Sequence, residues 1–197
     1  MICRLSTKIT DKLLTRNVID VSEYDLYLYG LFVVLSNLFL VSFCLLFGVL
    51  FNMIIPSTVF FVTFLLFHKF AGGFHATTEN HCQIITLSSF LCCLIGIKLA
   101  IIHCSMNIST FILMFCVLLV LILFSPADTP QKPLAKDEKK RFKNKVIALA
   151  ITTFILLLIL FFFFDSITFI FFPILFGVLL ETVSVIAGKM LNGKEVF

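Results

Sequence analysis

The sequence predicts an all-α polytopic membrane protein, and three observations predict it. Sixty per cent of the 197 residues are hydrophobic, with 26 phenylalanines among them, and the mean hydropathy is +1.14. Only 13% are charged, about half the share usual in a soluble domain. The apolar residues also gather into six runs, each long enough to cross a hydrocarbon core. One membrane domain over 1–197 uses the whole length and leaves no room for a soluble domain. The net charge of +4 comes with no basic patch interleaved with aromatics in a soluble module, so nucleic acid is not an expected partner.

The first element is amphipathic. Residues 1–25 carry Arg4, Lys8, Asp11, Lys12, Arg16 and Asp20 with no continuous apolar core, which argues against a cleavable signal peptide. Ile2, Leu5, Ile9 and Leu13 recur at spacings of three and four, so the segment reads as a helix lying at the membrane surface. Membrane lipid is its expected partner.

Six spans follow, at 27–47, 50–67, 84–103, 108–125, 146–164 and 167–187. The connections around Pro56 and at Asp165-Ser166 are the tightest, and both predict antiparallel helical hairpins. With the N-terminus in the cytosol, 14 of the 15 Lys and Arg residues fall on inner segments. Lys98, toward the outer end of the third span, is the exception, and its long stem lets it snorkel outward. The positive-inside rule therefore predicts both termini cytosolic. The seven cysteines are odd in number and irregular in spacing. Cys44, Cys92, Cys93 and Cys116 sit inside apolar runs, where a thiol behaves as a small hydrophobe. Cys3 and Cys82 face a reducing cytosol and Cys104 lies near the outer face, so no disulfide framework is expected.

The first inner loop, 68–83, contains KFAGGFHATTENHC from Lys69 to Cys82. His75 and Cys82 are a natural pair for nucleophilic catalysis. A thiol of pKa about 8.5 is only a few per cent thiolate at neutral pH, and a neighbouring imidazole can take its proton and return one to a leaving amine. Cys82 also opens the third span, where unpaired N–H groups and the positive end of the helix dipole favour an anion. Seven residues of straight helix would hold the two Cα atoms about 10.5 Å apart, so the segment must fold back, or the pair must form between subunits. Gly72 and Gly73 allow unusual backbone conformations and close approach. His81 is near enough to serve as the base in place of His75, and spacing alone leaves a plain cytosolic turn as the alternative. A zinc site from His75, His81 and Cys82 lacks a fourth ligand and would need adjacent residues to converge. No metal or other cofactor is expected, and no phosphate-binding glycine motif is present.

The second inner loop, 126–145, opens with three prolines and closes in a basic run. From Ser125 to Lys145, seven basic residues stand against Asp128, Asp137 and Glu138, for a net +4. Attraction to anionic lipid explains most of these lysines. It leaves the Pro-punctuated opening with Asp128 at the membrane edge unexplained, and an acidic partner peptide is a second use for the loop. Glu181 falls inside the sixth span, where a carboxylate is costly unless it pairs or reaches water. It is either a site residue or one that reaches the cytosolic headgroups. Asn37, in the first span, reads as a helix-packing hydrogen bond.

Taken together, A-G-G-F-H-A at 71–76 followed by Cys82, and S-P-A-D-T-P-Q-K-P-L at 125–134 ahead of a charged run, resemble the accessory gene regulator B family. These are membrane cysteine endopeptidases of Gram-positive quorum-sensing systems. The resemblance implies His75 as the catalytic histidine, Cys82 as the nucleophile, and Gly72 and Gly73 as the motif's glycine pair. The arginine usual shortly before those glycines is replaced by His68-Lys69, and its basic role is assigned to Lys69. The P-A-D-T motif falls on Pro126 to Thr129, with Lys132-Pro133 after it. The implied substrate is a short propeptide with an amphipathic leader and an acidic C-terminal tail. Its candidate contacts are Lys69, Gly72, Gly73, Asp128, Lys132, Lys139, Lys140, Arg141 and Glu181.

The implied chemistry is attack of the Cys82 thiolate on the peptide bond before the tail. A thioester follows, and an internal Cys or Ser of the propeptide closes it to a thiolactone or lactone. A bacterial cytoplasmic membrane, a cytosolic active site and a homodimer all accord with the resemblance. The rival from another class is a non-catalytic membrane transporter or escort of a small peptide. For that rival Cys82 would be dispensable, while polar groups inside the spans, such as Glu181 and Asn37, would matter.

Overall fold

The structure, a computed structural model, describes residues 2–74, 79–127, 135–164 and 167–192. Among these the chain is all-α. Helices α1 (Ile2–Thr15), α2 (Tyr24–Leu50), α3 (Ile54–Ala71), α4 (Glu79–His103), α5 (Ile108–Phe124), α6 (Lys136–Phe163) and α7 (Thr168–Asn192) follow in order, with a 3-10 turn at Val21–Glu23 ahead of α2. Five of them, α2, α3, α4, α6 and α7, are long and apolar enough to cross a membrane. Helix α5 has 17 residues, at the short end of what spans a bilayer. The protein is a polytopic all-α membrane protein.

The chain divides into two compact units, Met1–Leu46 and Phe47–Phe197. In the first, α1 buries Ile2, Ser6 and Thr10, spaced by four, while Leu5 stays exposed. Its inward face is thus partly hydroxylic, and Leu5 of the predicted apolar stripe points out while Leu13 is half-buried. Ser6 and Thr10 satisfy their hydroxyls on the carbonyls of Cys3 and Ser6. The Tyr24 hydroxyl donates to Asp11 Oδ1 at 2.7 Å, tying α1 to the start of α2. Asn17, with φ 52°, ends α1: its N–H reaches Leu14 O and that of Val18 reaches Leu13 O. This is the paired closure of a left-handed helix cap. Asn52 ends α2 in the same way, with φ 55° and bonds to Val49 O and, from Met53, to Gly48 O.

In the second unit α7 is the central helix, packing against α3, α4 and α5, while α6 packs on α3 and α5. Phe90 of α4 takes edge contacts from Phe60, Phe61 and Phe64 of α3. Phe111 of α5 meets Phe154 and Phe161 of α6 and Phe171 of α7, with ring centroids 5.1–6.5 Å apart. Lipid tails are as apolar as these rings, so burial alone gives little drive for helix association; close packing and interhelical hydrogen bonds supply it. Gly177 of α7 serves that packing, because a Cβ there would stand 3.1 Å from Phe60 O and Thr63.

Two inner loops are shorter than expected, and the connection expected around Pro56 ends before it: α3 starts at Ile54 and takes Pro56 into its first turn, where a missing N–H breaks no helical bond. The basic run expected as loop 126–145 is helical from Lys136 onward, because a helix need not stop where the hydrocarbon does. Its N-terminus is capped by Glu138, whose carboxylate accepts the Ala135 N–H at 3.2 Å. The first inner loop, expected over 68–83, is reduced to the residues between Ala71 and Glu79, since α3 runs on through His68 and Lys69.

Candidate functional site

Helix α3 stops at Gly72. Its N–H still reaches His68 O at 3.1 Å, but φ +70° and ψ −166° turn the chain out of the helix. The turn that follows is held from two sides. On one side lies the start of the second loop: the Ala127 N–H donates to Ala71 O at 2.8 Å. A Cβ at Gly72 would meet Ala127 O at 2.5 Å. Ser125 and Ala127 are both 3% exposed. The A-G-G and S-P-A motifs, more than fifty residues apart in the chain, are therefore joined backbone to backbone.

On the other side lies α7, where Glu181, Ser184 and Gly188 follow at spacings of three and four and so share one face. Ser184 Oγ accepts the Phe74 N–H at 3.1 Å. Gly188 lets the peptide after Gly73 lie flat on the helix, because a Cβ there would be 2.9 Å from Gly73 O. Glu181 is fully buried, and its Oε2 lies 2.9 Å from His68 Nδ1. The His68 ring stacks on Phe64, with centroids 5.1 Å apart and planes 20° from parallel. Gly73 lies against the edge of that ring; a Cβ there would stand 2.7 Å from His68 Cε1 and 2.5 Å from Ser184 Oγ. Glu181 Oε1 is buried without a hydrogen-bond partner among the described residues.

These placements change two readings. Glu181 does not reach toward headgroups; it faces inward because α7 is the central helix. His68, named from the sequence only with Lys69 as the pair that stands in place of the family's arginine, is the group that meets this carboxylate. Lys69, given the basic role by resemblance, places Nζ 5.6 Å from the centre of the Phe70 ring. Lys145 approaches the same ring at 5.1 Å and that of Phe142 at 5.8 Å, which brings the first turns of α6 beside the end of α3. Lys140 and Arg141 are exposed and Lys139 half-buried on those turns.

Cys82 lies in the first turn of α4, half-buried, and its carbonyl accepts the Thr86 hydroxyl at 2.8 Å. His81 beside it is exposed. His75, Asp128 and Lys132 lie outside the described residues. Among the described residues no three His, Cys, Asp or Glu side chains gather closely enough to hold a metal ion. An apolar crevice of about 120 Å³ between α5 and α6, lined by Leu118, Ile122, Ala150 and Phe154 among others, carries no nucleophilic or titratable group.

His68, Ser184 and Ala127 were not read from the sequence as site residues. The i, i+3, i+7 series of Glu181, Ser184 and Gly188 was a usable signal, since two small residues and an acid on one face of an apolar helix mark a close polar approach. The pairing with His68, 113 residues away, had no local signature.

Residues 6–185 match the family described as Accessory gene regulator B. Two proteins of Clostridium perfringens described as AgrB-like, one from strain SM101 / Type A and one from strain 13 / Type A, are each 27% identical over 158 residues. The alignment covers 78% of this chain and 73% of each relative. No solved structure matches.

Proposed function

Since the chain belongs to the accessory gene regulator B family, with a role in quorum-sensing peptide processing, we propose that it is a cysteine endopeptidase of the bacterial cytoplasmic membrane. It cuts the acidic C-terminal tail from a short propeptide and helps the remainder cyclise. The observation that carries this reading is how the described residues beside each candidate group are held: the Phe74 N–H, one residue before His75, meets Ser184, and Cys82 stands in the first turn of α4.

In this reading His75 removes the proton from Cys82, and the thiolate attacks the carbonyl carbon of the bond before the tail. The C–N bond breaks, the tail leaves with the proton from His75, and the signal segment remains as a thioester on Cys82. A thiol or hydroxyl within the propeptide then attacks that carbonyl, the C–S bond to Cys82 breaks, and a thiolactone or lactone ring closes. Thiol–thioester exchange nearly conserves the energy of the acyl bond, so the site has only to exclude water and hold the internal nucleophile close. Unpaired N–H groups in the first turn of α4 are the nearest candidates to stabilise the oxyanion. The basic first turns of α6, with Lys139, Lys140 and Arg141, face the tail electrostatically, and Lys69 and Lys145 add charge beside the Gly72–Gly73 turn. The active site faces the cytosol.

Co-expression with a propeptide encoded beside this gene, followed by mass spectrometry of peptide and enzyme, tests the reading. Wild type should yield tail-less peptide or an acyl adduct on Cys82, while Cys82→Ala and His75→Ala should yield neither and still accumulate in the membrane. Normal cleavage by Cys82→Ala would leave the transporter or escort as the better reading.

A further inference from the structure

A carboxylate buried within a membrane span is costly, and it persists where it has a partner and a task. Glu181 has its partner in His68, and the pair stands directly behind the Gly72–Gly73 turn. Among the described residues the His68 ring meets Phe64 on one face, Glu181 at Nδ1, and Gly73 close against Cε1. Glu181 thus sets the position of the ring, and the ring sets how closely the turn can approach α7. One helical turn further on, Ser184 takes the next N–H of the same segment. We infer that Glu181 is a positioning residue, not a substrate contact: through His68 it fixes the Gly72–Gly73 turn, and so the point from which the chain departs toward His75.

This inference rests on the reading of His75 and Cys82 as the acyl-transfer pair. Glu181 is fully buried and its Oε2 is directed at His68, so the carboxyl group sits behind the turn and presents no surface to a propeptide. Its removal should therefore act on the rate of acyl transfer and leave propeptide binding alone. A displacement of about 1 Å between reacting groups costs on the order of a hundredfold in rate, so a loosened turn is enough for a large effect.

The experiment measures tail cleavage by full-length enzyme in proteoliposomes as a function of propeptide concentration. It compares wild type, the single variants Glu181→Leu and His68→Leu, the double variant His68→Leu/Glu181→Leu, Glu181→Gln and Cys82→Ala. Glu181→Gln keeps the size of the side chain and a hydrogen-bonding group toward His68, so it should stay nearer to wild type than Glu181→Leu. The double variant replaces a buried polar pair by apolar groups, a change that such sites often tolerate in stability. Glu181→Leu and the double variant should lose about ten- to a hundredfold in kcat with KM within about twofold of wild type, and the double variant should lose no more than the worse of the two single Leu variants. Wild-type kcat in either Glu181→Leu or the double variant overturns the inference, because the pair is then structural only. A loss confined to KM overturns it as well, because Glu181 then contacts substrate. Cys82→Ala separates the two levels: if it still cleaves, the reading of the acyl-transfer pair has failed, whereas an inactive Cys82→Ala beside a fully active Glu181→Leu sinks the positioning role alone.

Discussion

Gly72 combines φ +70° with ψ −166°, a region of backbone space essentially restricted to glycine and costing other residues about 1–3 kcal/mol. Gly73 needs no such freedom; it is glycine because the His68 ring and Ser184 Oγ already fill the space a Cβ would take. Adjacent glycines thus answer to different physics, and alanine should separate them. Gly72→Ala should strain the turn and push against the Ala127 carbonyl, lowering the thermal stability of the purified protein. Gly73→Ala should push against an aromatic ring that cannot yield without breaking its bond to Glu181. Cleavage should then fall by about tenfold or more, with a smaller change in melting temperature than for Gly72→Ala. Wild-type cleavage by Gly73→Ala would mean that the turn adapts and that His68 does not set its place.

At the scale of elements, what could be read from the sequence was what apolar run length encodes. The first residue of α5 and the last residues of α4 and α6 fall within a residue of expectation, because each borders a polar connection. The start of α6 lies ten residues before the expected one because the Lys, Arg and Glu residues that dominate 136–145 are good helix formers as well as charged, and charge alone reads as loop. The glycine pair was visible as a motif, but not its dependence on α7, since a contact between residues 73 and 184 leaves no periodic trace. Small residues on α7 carry that dependence, and a matched pair of substitutions measures it. A Cβ at Gly188 would stand 2.9 and 3.0 Å from backbone atoms of Gly73, which cannot rotate away, whereas a Cβ at Gly30 of α2 meets nothing within 4 Å. Gly188→Ala should therefore lower both thermal stability and cleavage. Gly30→Ala should leave cleavage unchanged and raise stability by up to about 1 kcal/mol, the usual gain from replacing a mid-helix glycine. Equal effects from the two would remove the special status of α7 beneath the turn.

At the scale of the whole molecule, the distribution of Lys and Arg makes a statement about orientation that its own cysteines can test. If both termini face the cytosol, the connection between α4 and α5 faces outward and carries Cys104, while Cys3 of α1 and Cys82 lie on the inner side. Cys3 and Cys104 are both exposed, so each should react when the reagent has access to its side. A membrane-impermeant maleimide added to intact protoplasts should modify Cys104 and spare Cys3, and inverted vesicles should give the reverse, with adduct positions assigned by peptide mapping. Cys82, half-buried in the first turn of α4, should follow Cys3 in sidedness but react more slowly. Its labelling in inverted vesicles should be slowed further by an excess of propeptide, because the proposed substrate occupies the same surface. Modification of Cys82 from the outer face would reverse the topology and place the acidic tail in the wrong compartment. The basic turns of α6 would then be unable to attract it, and the cytosolic peptidase would have to be given up along with the orientation.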